Sequence, residues 1–278
     1  MNVPTIETAN GLSLPVVGLG TYLLNGAAGV EAIQTAIHTG YRLLDSAFNY
    51  ENEGAVGAAV RNCGVAREQL IVTSKLPGRH QGYEEAIDTI SESVYRTGLD
   101  SIDLYLIHWP LPRLDRYVQA WRALIEAREC GLVRHIGVSN FLPAHLKRLV
   151  DETGVTPEVN QIEMHPYFPQ IEALAYHREH GIVTQAWSPL GRGNDLLDNP
   201  VVTEIAAVHG VSSGRVVLAW HVRLGAVPLP KAASPSRQRE NLDLFSFQLT
   251  DEEVGRITAL GHSDGRIAGQ DPATYEEL

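Results

Sequence analysis

Ile102-Asp103-Leu104-Tyr105-Leu106-Ile107-His108-Trp109-Pro110 begins as a largely apolar run of strand length and ends on an imidazole beside a tryptophan. A short run of this kind suits a strand in a sheet covered on both faces. The next pattern, Tyr117 to Cys130, repeats apolar residues at three- and four-residue spacing, which predicts a helix laying one face on that sheet. The unit is strand, loop, helix, and its recurrence decides the architecture.

It recurs eight times. The predicted strands are Val16 to Gly20, Arg42 to Asp45, Leu70 to Lys75, Ile102 to His108, His135 to Ser139, Glu158 to Glu163, Val183 to Trp187 and Ala226 to Pro230. Helical patterns lie between them at Val30 to Thr39, Tyr83 to Thr97, Tyr117 to Cys130, Pro143 to Thr153, Ile171 to His180 and Ser213 to Leu224. The 278 residues fall within the roughly 200 to 400 that one such barrel occupies. No long Pro/Gly/Ser linker divides them. The reading is an α/β fold, a (β/α)₈ TIM barrel forming one domain over residues 1–278, with an open doubly wound sheet as the alternative. Pro4 to Glu7 and Leu12 to Leu14 flank Asn10-Gly11, which predicts a β-hairpin plugging the barrel bottom. Pro200 to His209 and Asp251 to Leu260 read as two extra helices, and His262 to Leu278 as an extended C-terminal tail without periodicity.

Composition narrows the function. A formal net charge of −11 with no compensating basic cluster argues against nucleic acid, whose phosphates it would repel. No run of about 18 apolar residues predicts a membrane span, and the first residues lack the basic start and apolar stretch of a secretory signal. A cytoplasmic monomer is expected. Cys63 and Cys130 read as reduced, isolated thiols.

In an α/β barrel the active site gathers at the C-terminal ends of the strands. Asp45 ends the second predicted strand, Tyr50 follows in its loop, Lys75 ends the third and His108 the fourth. Taken singly each admits a structural role: a helix cap, loop packing, a snorkelling amine, a satisfied core histidine. Together they form a general-acid site. An ammonium beside a phenol lowers its pKa from about 10, a carboxylate keeps that ammonium charged, and an imidazole orients a carbonyl. No metal is called for; His177 and His180 read as a surface pair one helical turn apart.

Protein side chains supply no hydride, so a cofactor is needed. Gly18-Leu-Gly20-Thr21 lacks the third glycine of the Rossmann fingerprint. Barrels commonly hold phosphate after strands seven and eight, at a helix N-terminus. Lys231-Ala-Ala-Ser-Pro-Ser-Arg237 suits this, with Ser234 as N-cap, Pro235 in the first helical position and two cations beside them.

The stretches Leu43-Leu-Asp45-Ser-Ala-Phe-Asn-Tyr50, Thr73-Ser-Lys75-Leu, Asp103 to Pro110, Gly137-Val-Ser139-Asn140-Phe and Asn160-Gln161-Ile-Glu-Met-His-Pro are similar to successive signatures of the aldo-keto reductases. The likeness continues through Trp187-Ser188-Pro-Leu-Gly and Pro230-Lys231 to Glu240-Asn241, and within the family it is nearest the microbial 2,5-diketo-gluconate reductases and broad aldehyde or methylglyoxal reductases. The resemblance implies a catalytic tetrad of Asp45, Tyr50, Lys75 and His108 and an NADPH/NADP+ cofactor. It implies nicotinamide contacts from Ser139, Asn140 and Gln161, ring stacking by Trp187, and a 2′-phosphate grip by Lys231, Ser234, Arg237, Glu240 and Asn241. Gly20, Thr21, Ser188 and Leu190 are placed with the cofactor as well. Ala232 departs from the family's usual serine. Leu76-Pro77-Gly78 departs where an aromatic often follows the lysine. Tyr22, Phe48, Trp109 and Phe141 follow strand ends and are expected to line an apolar cup for a small-molecule carbonyl substrate. Two other readings compete: a non-catalytic, redox-sensing NADPH-binding subunit, and a barrel hydrolase using Asp45 and His108.

Overall fold

The first two strands, β1 (Thr5–Glu7) and β2 (Ser13–Pro15), pair antiparallel with Ile6 opposite Leu14, as the Asn10-Gly11 turn predicts. Leu12 and Leu14 project from this hairpin into a cluster with Leu43, Leu104, Leu106, Val159, Val183, Val227 and Leu229, which fills the barrel interior. The computed structural model describes residues 3–277.

Eight parallel strands follow in sequence order around the sheet: β3 (Leu19–Gly20), β4 (Leu43–Asp45), β5 (Ile71–Leu76), β6 (Ile102–Ile107), β7 (Val133–Ser139), β8 (Val159–Glu163), β9 (Val183–Trp187) and β10 (Ala226–Pro228). The amides of Gly18 and Gly20 donate to the carbonyls of Pro228 and Pro230, each at 3.1 Å, so the last strand meets the first and the TIM barrel closes. β3 is shorter than predicted. Val16 donates its amide to Pro4 in the hairpin, leaving only Leu19 and Gly20 to pair with β4.

The outer layer comprises α1 (Gly26–Thr39), α2 (Glu53–Asn62), α3 (Tyr83–Thr97), α4 (Tyr117–Glu129), α5 (Pro143–Thr153), α6 (Ile171–Glu179), α7 (Pro200–His209), α8 (Ser213–Arg223), α9 (Pro235–Leu242) and α10 (Asp251–Thr258). Helices α7 and α10 are the two outside the strand-helix repeat. The six predicted repeat helices recur within a few residues at each end. α2 was not among them, because Glu53-Gly-Ala-Val-Gly-Ala-Ala carries two glycines that weaken helix propensity. Packing explains Gly57: a Cβ there would lie 1.8 Å from the Thr97 carbonyl oxygen, so α2 can approach α3 only with glycine.

Between barrel and helices lie buried apolar clusters, one around Trp121, Leu124 and Ile136 and another around Ile33, Leu44 and Val72. Such burial contributes about 25 cal/mol per Å² of apolar surface and holds the strand ends in register. Cys63 is buried at the C-terminal end of α2, Cys130 is exposed, and both are free thiols. Among the described residues no single helix is long and apolar enough to cross a membrane.

The tail is docked, which its lack of periodicity did not foretell. The Ile267 amide donates to Glu163 Oε1, a short 3₁₀ turn spans Ile267–Gly269, and the chain then crosses the barrel mouth. Tyr275 packs on Trp109 with ring centroids 4.5 Å apart, and Glu276 Oε1 accepts the Arg113 amide at 2.8 Å.

Candidate active site

Strand register brings the four ionisable residues to one mouth. Asp45 is level with Gly20 on one side and Thr73 on the other, so its carboxylate projects beside the end of β5, where Lys75 sits fully buried. The Lys75 ammonium donates to both Asp45 oxygens, at 2.8 and 2.9 Å, and to the Ser46 carbonyl at 2.7 Å. Gln161 Nε2 adds a bond to Asp45 Oδ1 at 2.8 Å. Tyr50 sits in a 3₁₀ turn, Phe48–Tyr50, immediately before α2; its ring lies 5.0 Å from the Lys75 nitrogen and 6.0 Å from the His108 ring centroid.

Asp45, Tyr50 and His108 floor a cleft of about 1170 Å³, with Lys75 buried beneath it. It runs from Tyr50 and His108 past Trp187 and Ser188 to the start of α9, where Lys231 and Arg237 lie. Ser234 caps α9 by accepting the Arg237 amide, and Pro235 begins the helix. The cleft thus joins an acid-base cluster to a cationic helix N-terminus.

The Aldo/keto reductase family pattern matches residues 16–262. The chain belongs to the aldo-keto reductase family. It is 55% identical over 277 residues to 2,5-diketo-D-gluconic acid reductase B of Corynebacterium sp. (strain SHS752001), covering 100% of this chain and 99% of that one. It is 40% identical over 275 residues to methylglyoxal reductase DkgA of Escherichia coli (strain K12), covering 99% and 98%. Among solved structures, a Gox0644 variant in complex with NADPH superposes with a TM-score of 0.94 at 37% identity, covering 99% of each chain. A Bombyx mori aldo-keto reductase in complex with NADP gives 0.90 at 33%, covering 100% and 99%.

Within this aldo-keto reductase most of the expected cofactor residues line the cleft: Gly20, Thr21, Ser139, Asn140, Gln161, Trp187, Ser188, Leu190, Lys231, Arg237, Glu240 and Asn241. Several are committed to one another. Ser139 Oγ donates to the Gln161 carbonyl at 2.8 Å, and Asn140 Nδ2 donates to the His108 carbonyl and to Ser139 Oγ, both at 3.0 Å. Asn140 Oδ1 in turn accepts from Trp187 Nε1 at 2.8 Å. Both amide hydrogens of Gln161 are taken, by Asp45 and by Gln185 Oε1, so its own carbonyl oxygen is the group left to meet a carboxamide. Asn140 and Ser188 hold positive φ, 65° and 49°, marking bends at which the strands turn out under the cleft.

Other expectations are corrected. Phe48 and Phe141 do not line the cleft. Phe48 packs under Arg96, whose guanidinium carbon lies 3.9 Å from its ring centroid, and Phe141 is buried against Tyr117 and His145. Ser234 serves as a cap without facing the cleft. Ala232 is buried under α1 and α9, so the methyl group faces the apolar core and leaves Lys231 and Arg237 to provide the charge. His177 and His180 are no surface pair. His177 is buried between Asn160 Nδ2 and Thr184 Oγ1, and burial, with His180 nearby, lowers its pKa to about 4. Among the described residues no His, Cys, Asp and Glu group could hold a metal.

The phenol also departs from expectation. Burial, reinforced by the negative charges of Asp45 and Glu277, pushes the Tyr50 pKa well above its usual value; Arg192 opposes this weakly. Lys75 gives the phenol no hydrogen bond, because its three hydrogens go to Asp45 and Ser46, and its charge reaches Tyr50 only through space. Burial also lowers the Lys75 pKa, while Asp45 and then Glu277 hold the charge on.

Sequence reasoning missed Asn49, Arg192, Tyr275 and Glu277 in the cleft lining. Only Arg192 had a local signal, a Gly-Arg-Gly following the strand end at Trp187.

Proposed function

We propose that this aldo-keto reductase reduces aldehydes and ketones to alcohols with NADPH, Tyr50 acting as the general acid. The carrying observation is the cleft itself: Tyr50 and His108 at its floor, with Lys231 and Arg237 at its far end. That donor set fits a dinucleotide carrying a 2′-phosphate, the form named in the solved relatives. Lys231 and Arg237, with the amides opening α9, would hold the phosphate, and Trp187, Ser139, Asn140 and Gln161 the nicotinamide. Bound NADPH supplies a hydride to the carbonyl carbon.

The residues do the rest. Tyr50 gives its proton to the carbonyl oxygen as negative charge develops there, a contribution of about 10² to 10⁴-fold for general acid catalysis. A raised pKa suits this direction, since the phenol enters the reaction fully protonated. His108 orients the oxygen. Lys75, held charged by Asp45, adds a positive potential beneath the phenol that stabilises the tyrosinate left behind. Tyr22, Trp109 and Tyr275 wall the carbonyl side of the cleft.

The substrates are small carbonyls, keto sugars or keto acids, in line with the activities named for the relatives. The same reading has the chain work as one barrel domain, a cytoplasmic monomer; light scattering checks the mass. NADPH absorbance is followed with a panel of aldehydes and ketones. Turnover supports the reductase, whereas binding without turnover would replace it with the redox-sensing subunit.

A further inference from the structure

Glu277 places a carboxylate where a substrate must pass, and nothing in the tetrad chemistry asks for it. Its Oε1 lies 2.9 Å from His108 Nδ1 and accepts from Asn49 Nδ2 at 3.0 Å, while Oε2 accepts the Gly78 amide at 3.2 Å. Asn49 is itself braced, with Oδ1 accepting from Arg79 at 2.6 Å. The side chain is 14% exposed, and it lines the cleft with Tyr50, His108 and Trp109. Burial works against its charge, but His108, Asn49 and the Gly78 amide outweigh it and hold the carboxyl below its usual range.

The seat is built for this strand of tail. A Cβ on Gly78 would lie 2.1 Å from the Glu277 carbonyl oxygen, so the Leu76-Pro77-Gly78 departure from the family pattern is what lets the backbone pass. Anchoring does not need the carboxylate, because Glu276, Tyr275 and Ile267 hold the strap through Arg113, Trp109 and Glu163. What the carboxylate adds is charge at the mouth.

We propose that Glu277 is a specificity-determining residue: its carboxylate takes the seat formed by the Asn49 and Gly78 donors beside His108 and biases the cleft toward uncharged carbonyls, against carbonyls that carry their own carboxylate. A substrate acid group within a few ångströms of a fixed negative charge, in a site partly shielded from water, is repelled by enough to change its relative efficiency about tenfold. The seat that would neutralise such an acid is already filled. The inference rests on the reductase reading of the cleft and ranks, among its small carbonyls, keto sugars and keto acids, the acids as the poorest substrates.

The test uses 4-nitrobenzaldehyde and 4-carboxybenzaldehyde, matched in size and differing in charge, with NADPH and the full chain. For Glu277→Gln and Glu277→Ala the ratio of kcat/KM, carboxy over nitro, rises about tenfold over the unaltered protein, and the rise is smaller at high salt. Gly78→Ala, which pushes the strap off its seat, shifts the ratio the same way, and a thermal melt confirms its folding. An unchanged or lower ratio in the Glu277 variants overturns the proposal. So does an equal fall for both aldehydes, which would make Glu277 a prop for His108. Absence of turnover of 4-nitrobenzaldehyde by the unaltered protein sinks the reductase reading instead.

Discussion

The Lys75 ammonium lies 2.8 Å from one oxygen of Asp45 and 2.9 Å from the other, joining the ends of neighbouring strands in a buried, bidentate contact. Its third hydrogen goes to the Ser46 carbonyl, so the charge acts on Tyr50 through space, from 5.0 Å, with no shared proton. Removing one partner of such a pair strands the other in low dielectric. Asp45→Asn is expected to cost about 3 to 5 kcal/mol, read from the urea midpoint, and Asp45→Asn with Lys75→Met to recover part of it. Equal stability of Asp45→Asn and the unaltered protein would show that water reaches Lys75.

The Tyr50 pKa is raised, first by burial and then by Asp45 and Glu277. A raised acid is protonated below its folded pKa and lost only as pH climbs through it, above the usual 10.0. Carbonyl reduction should therefore show no loss from Tyr50 ionisation between neutrality and about pH 9, and alcohol oxidation, which needs the tyrosinate, should keep rising across that range. A kcat/KM profile for reduction falling near pH 8 with the ionisation of Tyr50 would contradict the stated environment.

Lys231 and Arg237 line the cleft at the start of α9 and, among the described residues, pair with no carboxylate, while Ala232 is buried in the core. Under the proposed reading, discrimination between NADPH and NADH rests on these two cations. Lys231→Ala and Arg237→Ala should each raise KM for NADPH about 10 to 100-fold, as expected for loss of a charge-assisted contact, and barely alter KM for NADH. Parallel changes with both cofactors would move the 2′-phosphate site elsewhere.

Gly57 tests the packing beneath the tyrosine loop. Gly57→Ala forces a methyl toward the Thr97 carbonyl and should cost about 1 to 3 kcal/mol, despite the better helix propensity of alanine. A higher melting temperature in the variant would mean α2 is free to shift.

The barrel and the convergence of Asp45, Tyr50, Lys75 and His108 were legible because strand ends carry such residues locally: three of them close a predicted strand, and Tyr50 follows within one loop. Ser234-Pro235 announced α9 by capping alone. α2 was hidden because Gly54 and Gly57 weaken its propensity, and Gly57 serves a helix contact that only the tertiary structure reveals. The positions of Phe48 and Phe141 followed from loop geometry, which period and propensity leave open. Glu277 was least visible: its partner Gly78 is 199 residues away, and no local pattern marks where the tail docks.

The central claim is that the Tyr50 hydroxyl gives up the proton. Tyr50→Phe, assayed for NADPH binding by fluorescence and for aldehyde reduction by absorbance, should keep its cofactor affinity and lose about 10² to 10⁴-fold in turnover. Turnover near that of the unaltered protein, with binding intact, would contradict it.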